Sequence, residues 1–202
     1  MTVSHLLIGL GNPGSTYAGT RHNVGFLSLD WAAREQQRTF RRALFKPYAY
    51  CQVRCGASHI VLAKPLTYMN RSGKAAVSLL RRYRIDPSHM IVLCDTMDLP
   101  VGAVRIKRGG SSAGHRGLAS LIHEIGTREF IRVYIGIGRP SQTLTVVEHV
   151  LSVPDESESR LILQGTAAAG KAALKLTTEP IEQVMHEYNR KKPAAASLEE
   201  TS

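Results

Sequence analysis

Residues 5–25 read HLLIGLGNPGSTYAGTRHNVG, an apolar run that passes into a glycine-rich loop and then into a polar triplet. The run over Leu6–Leu10 predicts a buried β-strand, and the loop behind it carries Asn12. The triplet places His22 a short turn beyond the end of that strand. Open α/β sheets carry their chemistry at the carboxyl ends of parallel strands, and an imidazole can accept a proton near neutral pH. His22 is therefore a candidate general base, and the alternative is a histidine that only packs or caps at a turn.

Strand and helix patterns alternate along the rest of the chain. This order predicts an α/β fold, a single domain with a mixed, mainly parallel twisted sheet flanked by helices. We expect one catalytic domain over residues 1–190 and a disordered tail over 191–202. The predicted strands are Leu6–Leu10, Ala49–Arg54, His59–Ala63, Met90–Cys94, Val104–Arg108 and Arg132–Gly136, and the predicted helices are Val24–Gln36, Gly73–Arg84, Leu118–Ile125, 155–176 and 180–190.

The charge of the chain is strongly positive and unevenly placed. The formal net charge is +10, and no acidic residue lies between Glu35 and Asp86. A basic surface without acidic residues is typical of proteins that bind a polyanion such as RNA. A membrane-binding helix over 79–85 and a merely solvated basic surface are the alternatives. The basic residues of the stretch are Arg38, Arg41, Arg42, Lys46, Arg54, Lys64, Arg71, Lys74, Arg81, Arg82 and Arg84, and a second basic cluster covers Arg105–Arg108.

Cysteine usage and hydropathy predict a cytoplasmic protein without a membrane span. The three cysteines cannot all pair with one another, no apolar run reaches 18 residues, and the N-terminus lacks a basic signal region. Cys51 and Cys55, with His59 nearby, could suggest a metal site. No second ligand pair with zinc spacing follows, so we predict no metal.

The glycines of the first loop match the dinucleotide-binding pattern G-x-G-x-x-G at Gly9, Gly11 and Gly14. That site also requires a helix that opens directly after the loop and an acidic residue about 20 positions further on. Residues 13–19 delay the helix, and the next predicted strand lies in the stretch without acidic residues. The glycines are better explained by close approach of the backbone to a substrate, so we predict no cofactor.

Polar side chains follow several predicted strands, and Asp95 is the natural partner for His22. A carboxylate that accepts from one imidazole nitrogen makes the other nitrogen a better base. Asp98 is the alternative partner, although its Asp-Leu-Pro setting is typical of a turn. No serine or cysteine has the setting of a nucleophile. The remaining chemistry is attack of a histidine-activated water on a carbonyl, with Asn12 and Asn70 orienting the substrate or stabilising the oxyanion.

At this point the chain resembles the bacterial-type peptidyl-tRNA hydrolases. The resemblance implies a single α/β domain that hydrolyses the ester between a peptide and the 3′ ribose of tRNA, and thereby recycles tRNA from stalled translation. It also implies a monomer that needs no metal or cofactor. The matching segments are GLGNPGSTYAGTRHNVGF (9–26), KPLTYMNRSGKA (64–75), CDTMDLPVGAVRIKRGG (94–110), AGHRGLASLI (113–122) and FIRVYIGIGRP (130–140).

The resemblance also implies roles for individual residues. His22 is implied to be the catalytic base and Asp95 its partner. Asn12 and Asn70 are implied to hold the substrate near the ester. Tyr17 and Met69 are implied to line the peptide channel, and Arg105 and Lys107 to contact tRNA phosphate.

Three departures from the family pattern affect the site. Arg116 stands where the family usually has an asparagine that holds substrate and water, and arginine cannot accept a hydrogen bond. Thr96 replaces an acidic residue, and Tyr134 replaces a basic residue of the phosphate contact. We still expect Arg116 to contact the substrate.

Two other functions remain open from the sequence. One is a non-catalytic RNA-binding relative that keeps the fold and the basic face, and the other is an esterase acting on small activated esters. Residues 138–176 are predicted to form a gate and lid over the channel, although 138–154 could equally be an ordinary irregular loop.

Overall fold

The computed structural model describes residues 3–190, so the predicted tail at 191–202 lies outside the described residues. Within that range the elements alternate as the sequence predicts, and no helix there is long and apolar enough to cross a membrane. The strands are β1 His5–Gly9, β2 Arg41–Arg42, β3 Tyr48–Cys55, β4 Ser58–Pro65, β5 Met90–Thr96, β6 Val104–Arg108 and β7 Ile131–Gly136. The α-helices are α1 Val24–Glu35, α2 Ser72–Tyr83, α3 Arg116–Ile125, α4 Val146–Leu151, α5 Glu156–Lys175 and α6 Ile181–Asn189.

The strands form one seven-stranded mixed sheet in the order β2-β3-β4-β1-β5-β7-β6. The inner strands β4, β1, β5 and β7 run parallel, whereas β3 and β2 on one side and β6 on the other pair antiparallel. β1 is the central strand, where Leu7 lies opposite Leu62 of β4 and Ile91 of β5. The carboxyl ends of the parallel strands therefore meet at one edge, as the α/β prediction requires.

Both faces of the sheet are covered, which explains why its parallel strands are apolar on both sides. Leu7 packs into the core between the sheet and helices α1, α5 and α6. Leu6 and Ile8, its neighbours on β1, pack into the second core beneath α2 and α3. This alternation of side chains along β1 holds the central strand between two apolar layers.

Gly25 explains how α1 seats against the sheet. A Cβ atom at this position would lie 2.4 Å from the carbonyl oxygen of Leu93 and 2.5 Å from that of Leu10. Only glycine allows the first turn of α1 to lie directly on the ends of β1 and β5. The short 3₁₀ turn Arg21–Asn23 that precedes α1 is thereby fixed at the carboxyl edge of the sheet.

Three elements differ from the sequence-based prediction. β2 has only two residues, too few for a periodic pattern, and its pairing with β3 defines it. Residues 138–154 contain a helix, α4, whose N-terminus has a capping box formed by Thr145 and Glu148. β5 extends through Thr96, so Asp95 lies within the strand and not behind it.

Candidate active site

His22 and Asp95 lie together at the carboxyl edge of the sheet. His22 is buried in the 3₁₀ turn, and its Nδ1 atom lies 2.8 Å from Oδ1 of Asp95. Asp98, the alternative partner, is exposed and forms an ion pair with Arg139 at 2.6 Å. The structure therefore brings together the pair favoured from the sequence, across 73 residues of chain.

His115 is a third member of this cluster, and no role was predicted for it from the sequence. Its Nε2 lies 3.0 Å from the same Oδ1 atom of Asp95. Its Nδ1 accepts hydrogen bonds from the backbone N–H groups of Gly117 and Leu118, at 3.1 and 3.2 Å, and so caps α3. These acceptor bonds fix the tautomer, because Nδ1 must carry a lone pair and Nε2 the proton. The position of His115, at the end of a glycine loop and directly before a predicted helix, is the sequence signal that could have indicated this role.

These two imidazole rings stabilise the ionised form of Asp95. Burial alone would raise the pKa of this carboxyl, because the ionised form loses hydration. Hydrogen bonds from His115 and His22, together with the positive charge of these rings when they are protonated, outweigh burial and bring the pKa below its usual range. Asp95 is therefore a buried carboxylate that orients two imidazoles.

Asn12 is held by a small hydrogen-bond network. Its backbone N–H donates to Oδ1 of Asn23 at 2.8 Å, and Nδ2 of Asn23 donates back to the Asn12 carbonyl at 3.0 Å. The side-chain oxygen of Asn12 accepts from the backbone N–H of Met69 at 2.9 Å. Its Nδ2 makes no hydrogen bond to the part of the chain that the structure describes, and so remains a free donor at the site.

A cavity of about 610 Å³ opens beside the cluster. The polar residues that line it include Asn12, His22 and Asp95, and α4 contributes apolar side chains to its wall. Tyr17 lies in the 3₁₀ turn Ser15–Tyr17 and is not among the described residues that line the cavity. Four other positions named in the sequence analysis do line the cavity: Met69 is buried, Asn70 and Arg116 are exposed, and Tyr134 is half-buried. The side chains that α4 contributes are Val146, Val147, Val150 and Leu151.

Arg132 fixes the glycine loop at 109–114 through hydrogen bonds to its backbone. This arginine is fully buried, and its guanidinium donates hydrogen bonds to the carbonyl oxygens of Gly110 and Ser111. It also lies 3.2 Å from the Tyr134 hydroxyl and 4.9 Å from the centre of the Phe130 ring. Arg132 thus links the strand β7 to the loop that leads to His115.

Arg105 and Lys107, the predicted phosphate contacts, are exposed on β6 at the sheet edge. They lie opposite Tyr134 and Arg132 of β7. A Cβ atom at Gly110 would lie 3.5 Å from Nζ of Lys107, so this ammonium group sits beside the glycine loop. The basic strand and the imidazole cluster are therefore connected through one loop.

His22, Asp95 and His115 are also the described residues that could hold a metal ion, since their ligand atoms lie within 4.8 Å of one another. The geometry, however, is that of hydrogen bonds. Both imidazole nitrogens nearest Asp95 contact a single carboxylate oxygen, and the remaining His115 nitrogen caps α3. A metal would displace both imidazole–carboxylate hydrogen bonds, so the arrangement suits proton transfer better than coordination.

Comparison with known proteins identifies the family. The family model described as peptidyl-tRNA hydrolase matches residues 6–196. The peptidyl-tRNA hydrolase of Aquifex aeolicus is 42% identical over 187 residues, which cover 92% of this chain and 96% of the relative. The Enterococcus faecalis peptidyl-tRNA hydrolase is 39% identical over 187 residues, covering 92% of this chain and 99% of the relative.

Solved structures agree with the sequence relatives. A crystal structure of peptidyl-tRNA hydrolase from Acinetobacter baumannii superposes with a TM-score of 0.89 and is 34% identical, covering 96% of this chain and 98% of that chain. The fold and the family predicted from the sequence are thus confirmed. The family model, the sequence relatives and the solved structures agree, and the chain therefore belongs to the peptidyl-tRNA hydrolase family.

Proposed function

We propose that this member of the family hydrolyses the ester bond of peptidyl-tRNA with a water molecule activated by His22. The observation that carries the proposal is the His22–Asp95 pair at the end of an open cavity. Asp95 accepts a hydrogen bond from Nδ1–H of His22, which leaves Nε2 of His22 as the proton acceptor. Among the described residues Nε2 has no hydrogen-bond partner, so it is available to a water molecule.

In this reaction Nε2 removes a proton from water as the oxygen attacks the ester carbonyl carbon. The tetrahedral intermediate then collapses, and the bond to the 3′ oxygen of the ribose breaks. The protonated His22 returns its proton to that oxygen, so that free tRNA and a peptide carboxylate are released. Asp95 stabilises the imidazolium between the two steps without itself taking the proton.

Asn12 and Asn70 are proposed to bind the reacting part of the substrate. The free Nδ2 of Asn12 is a donor beside His22, where negative charge develops on the carbonyl oxygen. Asn70 is exposed in the cavity wall and can reach the peptide backbone. Met69 and the apolar side of α4 suit the peptide chain, and Arg116 is proposed as a further substrate contact. The role of Tyr17 in the peptide channel, implied by the resemblance, stays a prediction.

The tRNA is proposed to be held at β6 by Arg105 and Lys107, whose exposed cations match a phosphate.

A substrate of this kind implies a cytoplasmic enzyme. Its action as a monomer without metal or cofactor stays a prediction, as does the role of 138–176 as gate and lid. The helix α4 supplies the cavity wall within that segment, which supports the gate proposal.

The test is release of free tRNA from N-acetylaminoacyl-tRNA by wild type and by His22→Ala. Loss of a positioned base is expected to reduce kcat by about 10²- to 10⁴-fold. Binding of deacylated tRNA to the variant, measured alongside, should stay near the wild-type value. A wild type that releases no tRNA would favour the non-catalytic RNA-binding relative. That alternative is disfavoured by the complete polar cluster around His22, which RNA binding alone does not require.

A further inference from the structure

A second basic surface lies at the β2–β3 edge of the sheet, on the face covered by α2. It arises from the stretch between Glu35 and Asp86, which contains no acidic residue. Of the eleven basic residues in this stretch of sequence, only Lys64 forms an ion pair with a described residue, Asp30. The other ten cations have no ion-pair partner within residues 3–190. The positive charge of this surface is therefore not neutralised by the part of the fold that is described.

The centre of this surface is a cluster that we call the arginine–tyrosine face: Arg41, Tyr50, Arg82 and Tyr83. The guanidinium carbons of Arg41 and Arg82 lie 5.0 and 5.5 Å from the centre of the Tyr50 ring. Arg82 also lies 5.4 Å from the ring of Tyr83. Arg41 comes from β2 and Arg82 from α2, and both are exposed. These cation–π contacts place both guanidinium groups beside aromatic rings at the protein surface.

The turn between β2 and β3 continues this face into an apolar tip. Phe45 is 93% exposed and Leu44 is 80% exposed, with Arg42 before them and Lys46 after them. Single exposed apolar residues are common, but here an exposed ring is flanked on both sides by cations. Aromatic rings beside basic residues are the usual means of stacking unpaired bases of RNA.

This surface is remote from the basic strand β6. The sheet order places β2 and β6 at opposite edges, six strand spacings apart. At about 4.8 Å per spacing the two edges are about 29 Å apart. The phosphate group proposed for Arg105 and Lys107 therefore cannot also contact the arginine–tyrosine face.

We propose that the arginine–tyrosine face and the Phe45 tip bind a second segment of RNA, separate from the acceptor end at the active site. Arg41 and Arg82 contact phosphate groups, and Phe45 stacks on an unpaired base. An anionic membrane would also attract these cations. The tip, however, offers only two apolar side chains, and the neighbouring basic helix α2 buries its apolar face in the core of the protein, so RNA is favoured.

The test measures binding of the full chain to a stem–loop RNA that lacks a CCA end. The double variant Arg41→Gln/Arg82→Gln is compared with Arg160→Gln/Lys171→Gln, which removes equal charge from exposed positions of α5 on the opposite face. We expect at least tenfold weaker binding for the first variant. The slope of log K against log salt should fall by about two, since each phosphate contact contributes about 0.9. The control should match wild type in both measurements.

Two further measurements keep the result unambiguous. Both variants should hydrolyse an N-acetylaminoacyl minihelix at the wild-type rate, because no residue of the face is among the described residues that line the cavity. Phe45→Ala should weaken binding of the stem–loop at least about fivefold and leave a blunt duplex unaffected. Lys46→Gln provides a second loss of charge that leaves the tyrosine stacking in place, should the double variant unfold.

Equal RNA affinity of the double variant and its control would overturn the proposal. So would loss of binding to phosphatidylglycerol vesicles with RNA binding unchanged, because that outcome would assign the surface to a membrane. Loss of minihelix hydrolysis in the double variant alone would also count against it, by showing that this surface serves the active site directly.

Discussion

The side-chain oxygen of Asn12 accepts a hydrogen bond from the backbone N–H of Met69 at 2.9 Å, 57 residues further along the chain. This bond ties the glycine loop after β1 to the turn after β4, and both border the cavity. It also fixes the orientation of the carboxamide, because the oxygen is committed to Met69. The NH₂ group is left as the part of Asn12 that can act on a substrate.

Asn12→Asp separates these two roles. A carboxylate keeps the acceptor for the Met69 N–H but removes the NH₂ donor, so we expect a folded protein whose kcat falls about 10²- to 10³-fold. Circular dichroism and tRNA release check the two parts. Asn12→Ala is the comparison, since it also leaves the buried N–H unpaired, at a cost of about 1–3 kcal/mol of unfolding free energy. Full activity of Asn12→Asp would remove the NH₂ group from the mechanism.

Asp95→Asn tests the buried carboxylate through stability as well as rate. The two imidazoles bring the pKa of Asp95 below its usual range, so its ionised form stabilises the folded state. This contribution is complete above the unfolded-state pKa, about 3.9, and is lost as pH falls through the lower folded value. The difference in unfolding free energy between wild type and Asp95→Asn should therefore be full at pH 5 and 7 and shrink below about pH 4. Urea unfolding at each pH measures it, and a difference that persists undiminished at low pH would contradict the assignment.

His115 combines a helix cap with a bond to Asp95, and two substitutions distinguish these functions. His115→Ala removes both, so unfolding free energy should fall by about 1–3 kcal/mol and kcat by roughly tenfold. His115→Asn supplies a short side chain that caps a helix well but cannot reach Asp95. We expect it to recover the stability and not the rate, with KM changed little in either variant. If the asparagine variant were fully active, the bond to Asp95 would have no catalytic role.

Arg116→Asn should retain or raise the rate of tRNA release. The side chain of Arg116 is exposed at the cavity and forms no ion pair or hydrogen bond with residues 3–190. As the first residue of α3 it also places a cation at the positive end of the helix dipole, so its removal should stabilise the fold by about 0.3–1 kcal/mol. Thermal unfolding and single-turnover hydrolysis provide the two readouts. A collapse of the rate would contradict this prediction, by showing that the substrate contact proposed for Arg116 is essential to the reaction.

The parts of the fold predicted correctly are those with a strong local signal. The glycine loop between β1 and α1, the hairpin of β3 and β4, and the amphipathic α2 all depend on patterns within a few residues. The helix α4 also had such a signal, the pair Thr145 and Glu148 at capping-box spacing, within a segment predicted to be irregular.

The arrangement at Asp95 required information that no local pattern contains. The resemblance and the strand ends suggested its contact with His22, but the second contact with His115 follows from a fold of the glycine loop held by Arg132. A fully buried arginine is unexpected from sequence, since arginine is seldom buried without a partner. Here backbone carbonyl oxygens, and not an acidic residue, provide that partner.

The position of β1 at the centre of the sheet has a consequence for how the molecule opens. Its backbone is hydrogen-bonded on both sides, to β4 and β5, whereas β2 and β6 each have one neighbouring strand. Local opening of a protein begins where protection is least, at edges and not at doubly paired central strands. The imidazole cluster thus lies beside the doubly paired strand β1, where we expect amide exchange to be slowest, and the surfaces proposed to hold RNA include the edge strands β2 and β6. We therefore expect warming to weaken RNA recognition before it disturbs the hydrolytic geometry.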